Sequence, residues 1–237
     1  MEEINTDYLK YEELGIGVRN ESSLHMGIKK WYAMPGDRFE VKVGRNVIDI
    51  VRGNLLIEIQ TKNFKAIHKK LEKLLVNYRI LLVHPISTEK WITTTDECGE
   101  VVRRRKSPKK GALVDIFKEL VSTPNLISDE NLTIEVLMIK EEELRCIDGK
   151  GSWRRKGISI IDRNLVNVTD KIVFKEKKDF LIFLPHNLPV EFTNKDLASA
   201  LSISVIRSRR ATYCLKKMDL IREIGKRGRE LLFEIMR

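Results

Sequence analysis

Cysteine is scarce in this sequence: Cys98, Cys146 and Cys214 are the three it has among 237 residues, odd in number, widely spaced and without the paired spacing of a zinc site. That pattern argues against a disulfide framework and against structural zinc, and leaves ordinary reduced thiols. Long apolar runs are missing as well. Nothing approaches the roughly 18 consecutive apolar residues of a membrane-spanning helix. The opening MEEINTDYLKYEELGIG has neither a basic start nor the apolar stretch of a secretory leader. A cytoplasmic protein with no membrane partner is the expectation. Internal repeats and low-complexity tracts are absent too. What is present, 42% hydrophobic and 33% charged residues, is enough to bury one sizeable core. At roughly 100 to 200 residues per domain there is room for a second small unit or a third.

The charge is unbalanced, with a formal net charge of +10 and an isoelectric point near 9.5, which points to a polyanionic partner. Its distribution says more than its total. One cluster is VVRRRKSPKKGA at residues 101–112, another is GKGSWRRKG at 149–157, and a third spans 207–229. Each has the composition to meet phosphate, and each taken alone also reads as a solvated loop or helix face.

The stretch VIDIVRGNLLIEIQTKNF, residues 47–64, carries carboxylates inside two strand-like runs. A Gly-Asn pair between apolar runs predicts a two-residue hairpin loop, with glycine supplying the positive φ of a primed turn. Taking Gly53 and Asn54 as that loop sets Arg52 against Leu55, and counting outward puts Asp49 against Glu58 and Val47 against Gln60, these four on one face. Ile48 against Ile59 and Ile50 against Ile57 then form an apolar layer on the other. Opposed like charges are destabilising. A hard divalent cation would offset the repulsion, as would full solvation of the face.

An Asp on one hairpin strand and a Glu-x-Lys on the next resembles the core of the PD-(D/E)xK phosphodiesterase superfamily of restriction endonuclease-like proteins. Here the residues are Asp49, Glu58 and, in the lysine position, Gln60, similar to a Glu-x-Gln variant. The surrounding order fits as well: a helix over NESSLHMGIKKWY, a strand at DRFEVKV, the hairpin, a helix at NFKAIHKKLEKLLV and a strand at RILLVHPI, an αβββαβ core over residues 20–95. The resemblance implies a metal-dependent DNA endonuclease. Asp49, Glu58 and the carbonyl of Ile59 would hold Mg²⁺ or Mn²⁺, Gln60 would position a water, and Lys62 would reach in as the missing cation. It also implies a Glu from the first helix, matched by Glu21, which reads equally as a first-turn acid beside an Asn20 cap. His25 and His68 are minor candidates for proton transfer. The same resemblance admits a catalytically inactive, DNA-binding or regulatory protein on the nuclease scaffold.

The last fifty residues predict a winged helix-turn-helix: a short helix capped at Thr193 or Asn194, a turn at SIS, a longer helix turning Ile206, Ala211, Cys214, Leu215 and Met218 inward, and a wing with its tip at residues 225–228. Ser204, Arg207, Arg209, Arg210, Lys216 and Lys217 on the second helix, with Lys226, Arg227 and Arg229 on the wing, are the predicted DNA contacts. The expected fold class is α/β, divided into a nuclease-like domain over 1–95, a basic α/β region over 96–185 and a winged-helix domain over 186–237. In the middle region IKEEELRC reads as a solvated edge or helix, and Trp153 as a core anchor or a base-stacking platform. The expected partner is duplex or branched DNA, with RNA not excluded, a homodimer compatible, and a nucleoid-associated location.

Overall fold

In the computed structural model, which describes residues 22–236, the chain begins in the order α1 (Ser23–Tyr32), β1 (Arg38–Val43), β2 (Asn46–Arg52), β3 (Leu55–Ile59), α2 (Phe64–Leu75) and β4 (Arg79–Thr95). This is the element order that the periodicities predict, and local chemistry accounts for its boundaries. Ser22 caps α1 by accepting the His25 N–H at 3.4 Å. Leu24, Ile28 and Tyr32 recur at helical spacing on the buried side of the helix. The Gly53–Asn54 loop, with Gly53 at φ 53°, closes β2 on β3 in the expected register, Arg52 opposite Leu55 and Ile50 opposite Ile57.

Beyond residue 95 the expected division gives way. β6 (Leu132–Ile147) runs parallel to β4 along almost its whole length, and β7 (Ile158–Phe174) pairs antiparallel with β6. The middle strands therefore continue one seven-stranded sheet, ordered β1-β2-β3-β4-β6-β7, with β5 (Val101–Lys106) beside the distal half of β4. The physical reason is length. β4 has 17 residues and β3 has 5, so β4 overshoots its neighbour and offers a second stretch of backbone to pair. IKEEELRC is strand, not helix or solvated edge. Glu141 and Glu143 are buried, and Lys90 neutralises them at 2.7 and 3.2 Å, with Arg145 at 2.6 Å from Glu143.

A short helix, α3 (Ile116–Leu120), and a 3₁₀ turn at Lys177–Phe183 precede a second, three-stranded antiparallel sheet. The sheet is ordered β8-β10-β9 from β8 (Glu191–Thr193), β9 (Ile221–Arg227) and β10 (Glu230–Ile235), with α4 (Asn194–Ala200) and α5 (Val205–Lys217) inserted after β8. Phe117, Phe174, Phe180 and Phe183 pack ring against ring, and one apolar cluster runs from them to Phe192, Leu197, Cys214, Leu215 and Phe233. A continuous core thus crosses the boundary expected near residue 186. Cys214 lies within it, its thiol pushed up to about 12 by burial, which keeps it inert. Among the described residues no helix is long and apolar enough to cross a membrane.

Candidate active site

Hydrogen-bonded pairing of β2 with β3 runs from Arg52 and Leu55 to Ile50 and Ile57, and the strands part beyond that pair. The parted segment holds both carboxylates. On the other side of β2 the ladder skips the Glu40/Asp49 position, where Glu40 has φ 51°, a conformation that L side chains rarely adopt. Strict alternation predicts Ile48, Ile50, Ile57 and Ile59 in one layer. Instead Ile50, Ile57 and Ile59 pack under α1, and Ile48 joins Val51 and Leu56 in the core under α2. The interruption at Glu40 and Asp49 separates them.

Asp49 is engaged from α1. Its Oδ2 accepts the Ile59 N–H at 2.7 Å and lies 3.3 Å from His25 Nε2, and its Oδ1 is 3.9 Å from Lys29 Nζ. His25 Nε2 is also 3.0 Å from the Ile59 carbonyl. Lys29, fully buried, reaches Glu40 at 3.2 Å. Glu58 is engaged from α2: Lys70 Nζ donates to its Oε1 at 2.5 Å and to the Val47 carbonyl at 2.6 Å. The other oxygen, Glu58 Oε2, is buried without a partner among the described residues. Burial first and the charge of Asp49 second raise the Glu58 carboxyl to about 7, with Lys70 and His25 opposing. The simple picture of two carboxylates side by side on one face is therefore corrected. Different helices hold them, Asp49 from α1 and Glu58 from α2, and what links them is the charge of Asp49, which raises the Glu58 carboxyl.

The lysine position is resolved in an unexpected way. Gln60 Nε2 donates to the Lys62 carbonyl at 2.5 Å and to the Asn63 carbonyl at 3.4 Å, so its amide protons serve the turn into α2. Lys62 is exposed and makes no ion pair among the described residues. The lysine paired with Glu58 is Lys70, from α2. The motif spacing does not point to it; its position one residue before Leu71, beside the apolar stripe Phe64, Ile67, Leu71 and Leu74, is the sequence signal for it. The same holds for Lys29, next to Ile28 on α1. His25 belongs to the cluster, whereas His68 is half-buried on α2 and pairs with Glu72 at 3.3 Å. Glu21 lies outside the described residues.

Two carboxylates, one with an orphaned oxygen, and the neighbouring Ile59 carbonyl are the hard oxygen donors that Mg²⁺ and Mn²⁺ take. Among the described residues no group of three His, Cys, Asp or Glu side chains is gathered around a metal position, so an ion here would draw on that carbonyl and on water. From the end of β3 a cleft of about 480 Å³ leads past Thr61 and His84 between Lys90, Lys109, Lys110 and Lys118. Its lip is the strap at residues 107–111, pinned to β4 by Ser107 N–H on the Lys90 carbonyl at 2.8 Å and Gly111 N–H on the Ser87 carbonyl at 2.7 Å. His84 joins cleft and site: its Nδ1 is 2.7 Å from the Gln60 carbonyl, and burial holds its pKa below the usual histidine value.

The predicted DNA contacts divide by environment. Arg209, Lys216 and Arg229 line one cleft of about 620 Å³ beside α5, together with Lys195 and Tyr213. Arg210, Lys217 and Lys226 make no ion pair among the described residues. Arg207 turns the other way, its guanidinium 2.8 Å from Asp115, and Ser204 caps α5 by accepting the Arg207 N–H at 3.4 Å. Ile206, expected inward, is 62% exposed. The wing turns at Gly228 and Arg229, not at residues 225–228, which places Lys226 and Arg227 within β9, where Arg227 reaches Asp196 at 3.1 Å.

A family model described as Domain of unknown function (DUF8091) matches residues 22–175. The chain belongs to that family. The DUF8091 match takes in α1, the whole seven-stranded sheet and both carboxylates, and it stops before the three-stranded sheet. An uncharacterized protein of Treponema pallidum (strain Nichols) is similar over more of the chain: 30% identical over 219 residues, covering 92% of this chain and 86% of its own length. No solved structure matches.

Proposed function

We propose that this chain is a metal-dependent deoxyribonuclease of the PD-(D/E)xK kind, brought to DNA by a C-terminal winged helix. One observation carries the reading: where strands β2 and β3 part, Glu58 presents a buried carboxylate oxygen with no partner among the described residues, within reach of the charge of Asp49. Such an oxygen is costly to bury unless something meets it. Asp49, Glu58 and the Ile59 carbonyl would hold Mg²⁺ or Mn²⁺. When bound, that ion supplies a water of lowered pKa and offsets charge on the phosphate under attack. Lys70 adds a fixed positive charge in place of the motif lysine, and His25, within 3.3 Å of Asp49, is the nearest group able to accept or return a proton there. The cleft lined by Lys109, Lys110 and Lys118 would carry the strand away from the centre.

The order β8, α4, α5, β9, β10, with β10 between the other two strands, supports the winged-helix reading of residues 186–237. The test is cleavage of single-stranded, duplex and branched DNA with Mn²⁺ or Mg²⁺ by the wild type and by Asp49→Ala and Glu58→Ala. Metal-dependent cutting that both substitutions abolish is the expected result; indistinguishable behaviour of all three proteins would remove the nuclease reading.

A second reading, an inactive DNA-binding or regulatory protein on the same scaffold, is favoured by Gln60 in the lysine position and by Lys29, Lys70 and His25, which already offset the carboxylates. Calorimetry separates the two. Mn²⁺ binding that disappears in the Asp49 and Glu58 variants supports the enzyme, and wild-type protein that takes up no Mn²⁺ supports the scaffold.

A further inference from the structure

The β6–β7 connection ends in a tip with an indole held in solvent. Trp153 is 91% exposed and makes no ring or cation contact among the described residues. The tip around it is closely built. Gly151 N–H donates to the Gly157 carbonyl at 2.9 Å, Arg155 N–H to the Ser152 carbonyl at 2.8 Å, Lys156 N–H to the Trp153 carbonyl at 2.9 Å, and Arg155 Nε to the Ile158 carbonyl at 3.1 Å. Gly151 admits no side chain, since a Cβ there would stand 2.0 Å from the Ile158 carbonyl oxygen. Gly149 and Gly157 hold positive φ of 69° and 79°. A loop pinned this way spends its constraints on presenting Trp153 in one arrangement, which lowers the ordering cost of binding.

What surrounds the indole selects the ligand. Lys150, Arg154 and Lys156 are exposed beside it, and none has an ion-pair partner among the described residues. A flat aromatic surface ringed by free cations suits a base with a phosphate on either side of it. We propose that Trp153 is a stacking platform for an unpaired nucleobase of a polynucleotide, with Lys150, Arg154 and Lys156 meeting the flanking phosphates. Glu58 lies level with Ile134 across the β3, β4 and β6 ladders, and Ile134 precedes the end of β6 at Ile147. At about 3.3 Å per residue the tip stands up to roughly 40 Å along the sheet from the carboxylates. The platform is thus a contact remote from that centre, and it extends the nucleic-acid reading without depending on cleavage.

The experiment is metal-free fluorescence anisotropy with labelled single-stranded DNA, the matching RNA, blunt duplex DNA and a duplex with a single-stranded branch, using wild type, Trp153→Ala and Trp153→Phe. Trp153→Ala is expected to weaken single-stranded and branched ligands about tenfold, Trp153→Phe to recover most of that, and blunt duplex to be bound equally by all three. The matched DNA and RNA arms tell which sugar is preferred. Unchanged single-strand affinity in Trp153→Ala overturns the proposal, as does a loss confined to binding of anionic phospholipid vesicles, which would make the tip a lipid contact. An exposed side chain leaves folding intact, and equal melting temperatures of the three proteins check this. Because no metal is present, an inactive Asp49→Ala protein that still discriminates single strands keeps the platform while the nuclease reading stands or falls alone.

Discussion

Lys70 grips one oxygen of Glu58 at 2.5 Å, while the other is buried and unmet among the described residues. The lysine is thus part of what keeps a carboxylate in an apolar setting. Lys70→Ala leaves both oxygens without a partner and frees the Val47 carbonyl, so we expect a loss on the order of 2 kcal/mol in urea-induced unfolding at neutral pH. Lys70→Arg, which retains the donors, recovers part of it. If Lys70→Ala unfolds at the wild-type midpoint, the lysine is not supporting Glu58.

The raised pKa of Glu58, about 7 with burial as its main cause, fixes the sign of a pH effect. Between the ordinary glutamate range and pH 7 the folded protein binds a proton that the unfolded chain has released, so this residue's contribution is full in acid and is lost as pH rises through 7. Glu58→Gln keeps a neutral group in place. Its unfolding free energy should exceed the wild type's at pH 8, with the gap on the order of 2 kcal/mol and closing toward pH 5, as read from urea-induced unfolding at both pH values. Mn²⁺, which needs the ionised form, should stabilise the wild type more at pH 8 than at pH 5.

Much of this arrangement was legible in the residues, and the illegible parts have identifiable causes. Gly53 and Asn54 between alternating apolar runs announced the hairpin and its register, because turn chemistry and period-2 alternation agree there. The turn of Glu40 to φ 51° left no mark, since glutamate has no preference for that conformation, and so the parting of Ile48 from Ile50 went unforeseen. Lysine is a surface residue by default, so nothing in the residue type marks Lys29 or Lys70; the burial of Lys29 and the inward reach of Lys70 are set by carboxylates on other elements. That one sheet runs across the boundary expected near residue 95 was not legible, because apolar periodicity marks strands without saying which of them pair. One consequence is practical. Removing residues beyond 189, an obvious way to test the winged helix, would strip Phe192, Leu197 and Leu215 from the core that also holds Phe117, so point substitutions are the sound probe.

Gly111 offers a test of the basic cleft. Its N–H bonds to the Ser87 carbonyl at 2.7 Å, and a Cβ at this position would sit 2.6 Å from that same oxygen and 2.7 Å from Ile86 Cγ2. Gly111→Ala therefore pushes the strap carrying Lys109 and Lys110 off β4. We expect destabilisation of about 1–3 kcal/mol and weaker duplex binding in filter-binding assays. A variant that loses stability but binds duplex as the wild type does would separate the strap from the DNA path.

Arg207 and Arg209 sit two residues apart on α5 and should fail in different ways. Arg209 lines the cleft beside Lys216 and Arg229, whereas Arg207 is bonded to Asp115 at 2.8 Å and to the Lys110 carbonyl at 3.3 Å, tying α5 to the turn before α3. If the first is a phosphate contact, Arg209→Ala lowers duplex affinity alike for all sequences and reduces the slope of log K against log salt by about one, with the melting temperature unchanged. Arg207→Ala should lower the melting temperature by removing a partly buried ion pair, and it should leave that slope as it is. Affinities measured across a salt series for both variants decide the matter: equal slopes for wild type and Arg209→Ala would take Arg209 out of the interface, and a reduced slope for Arg207→Ala would mean that its bond to Asp115 opens when DNA arrives.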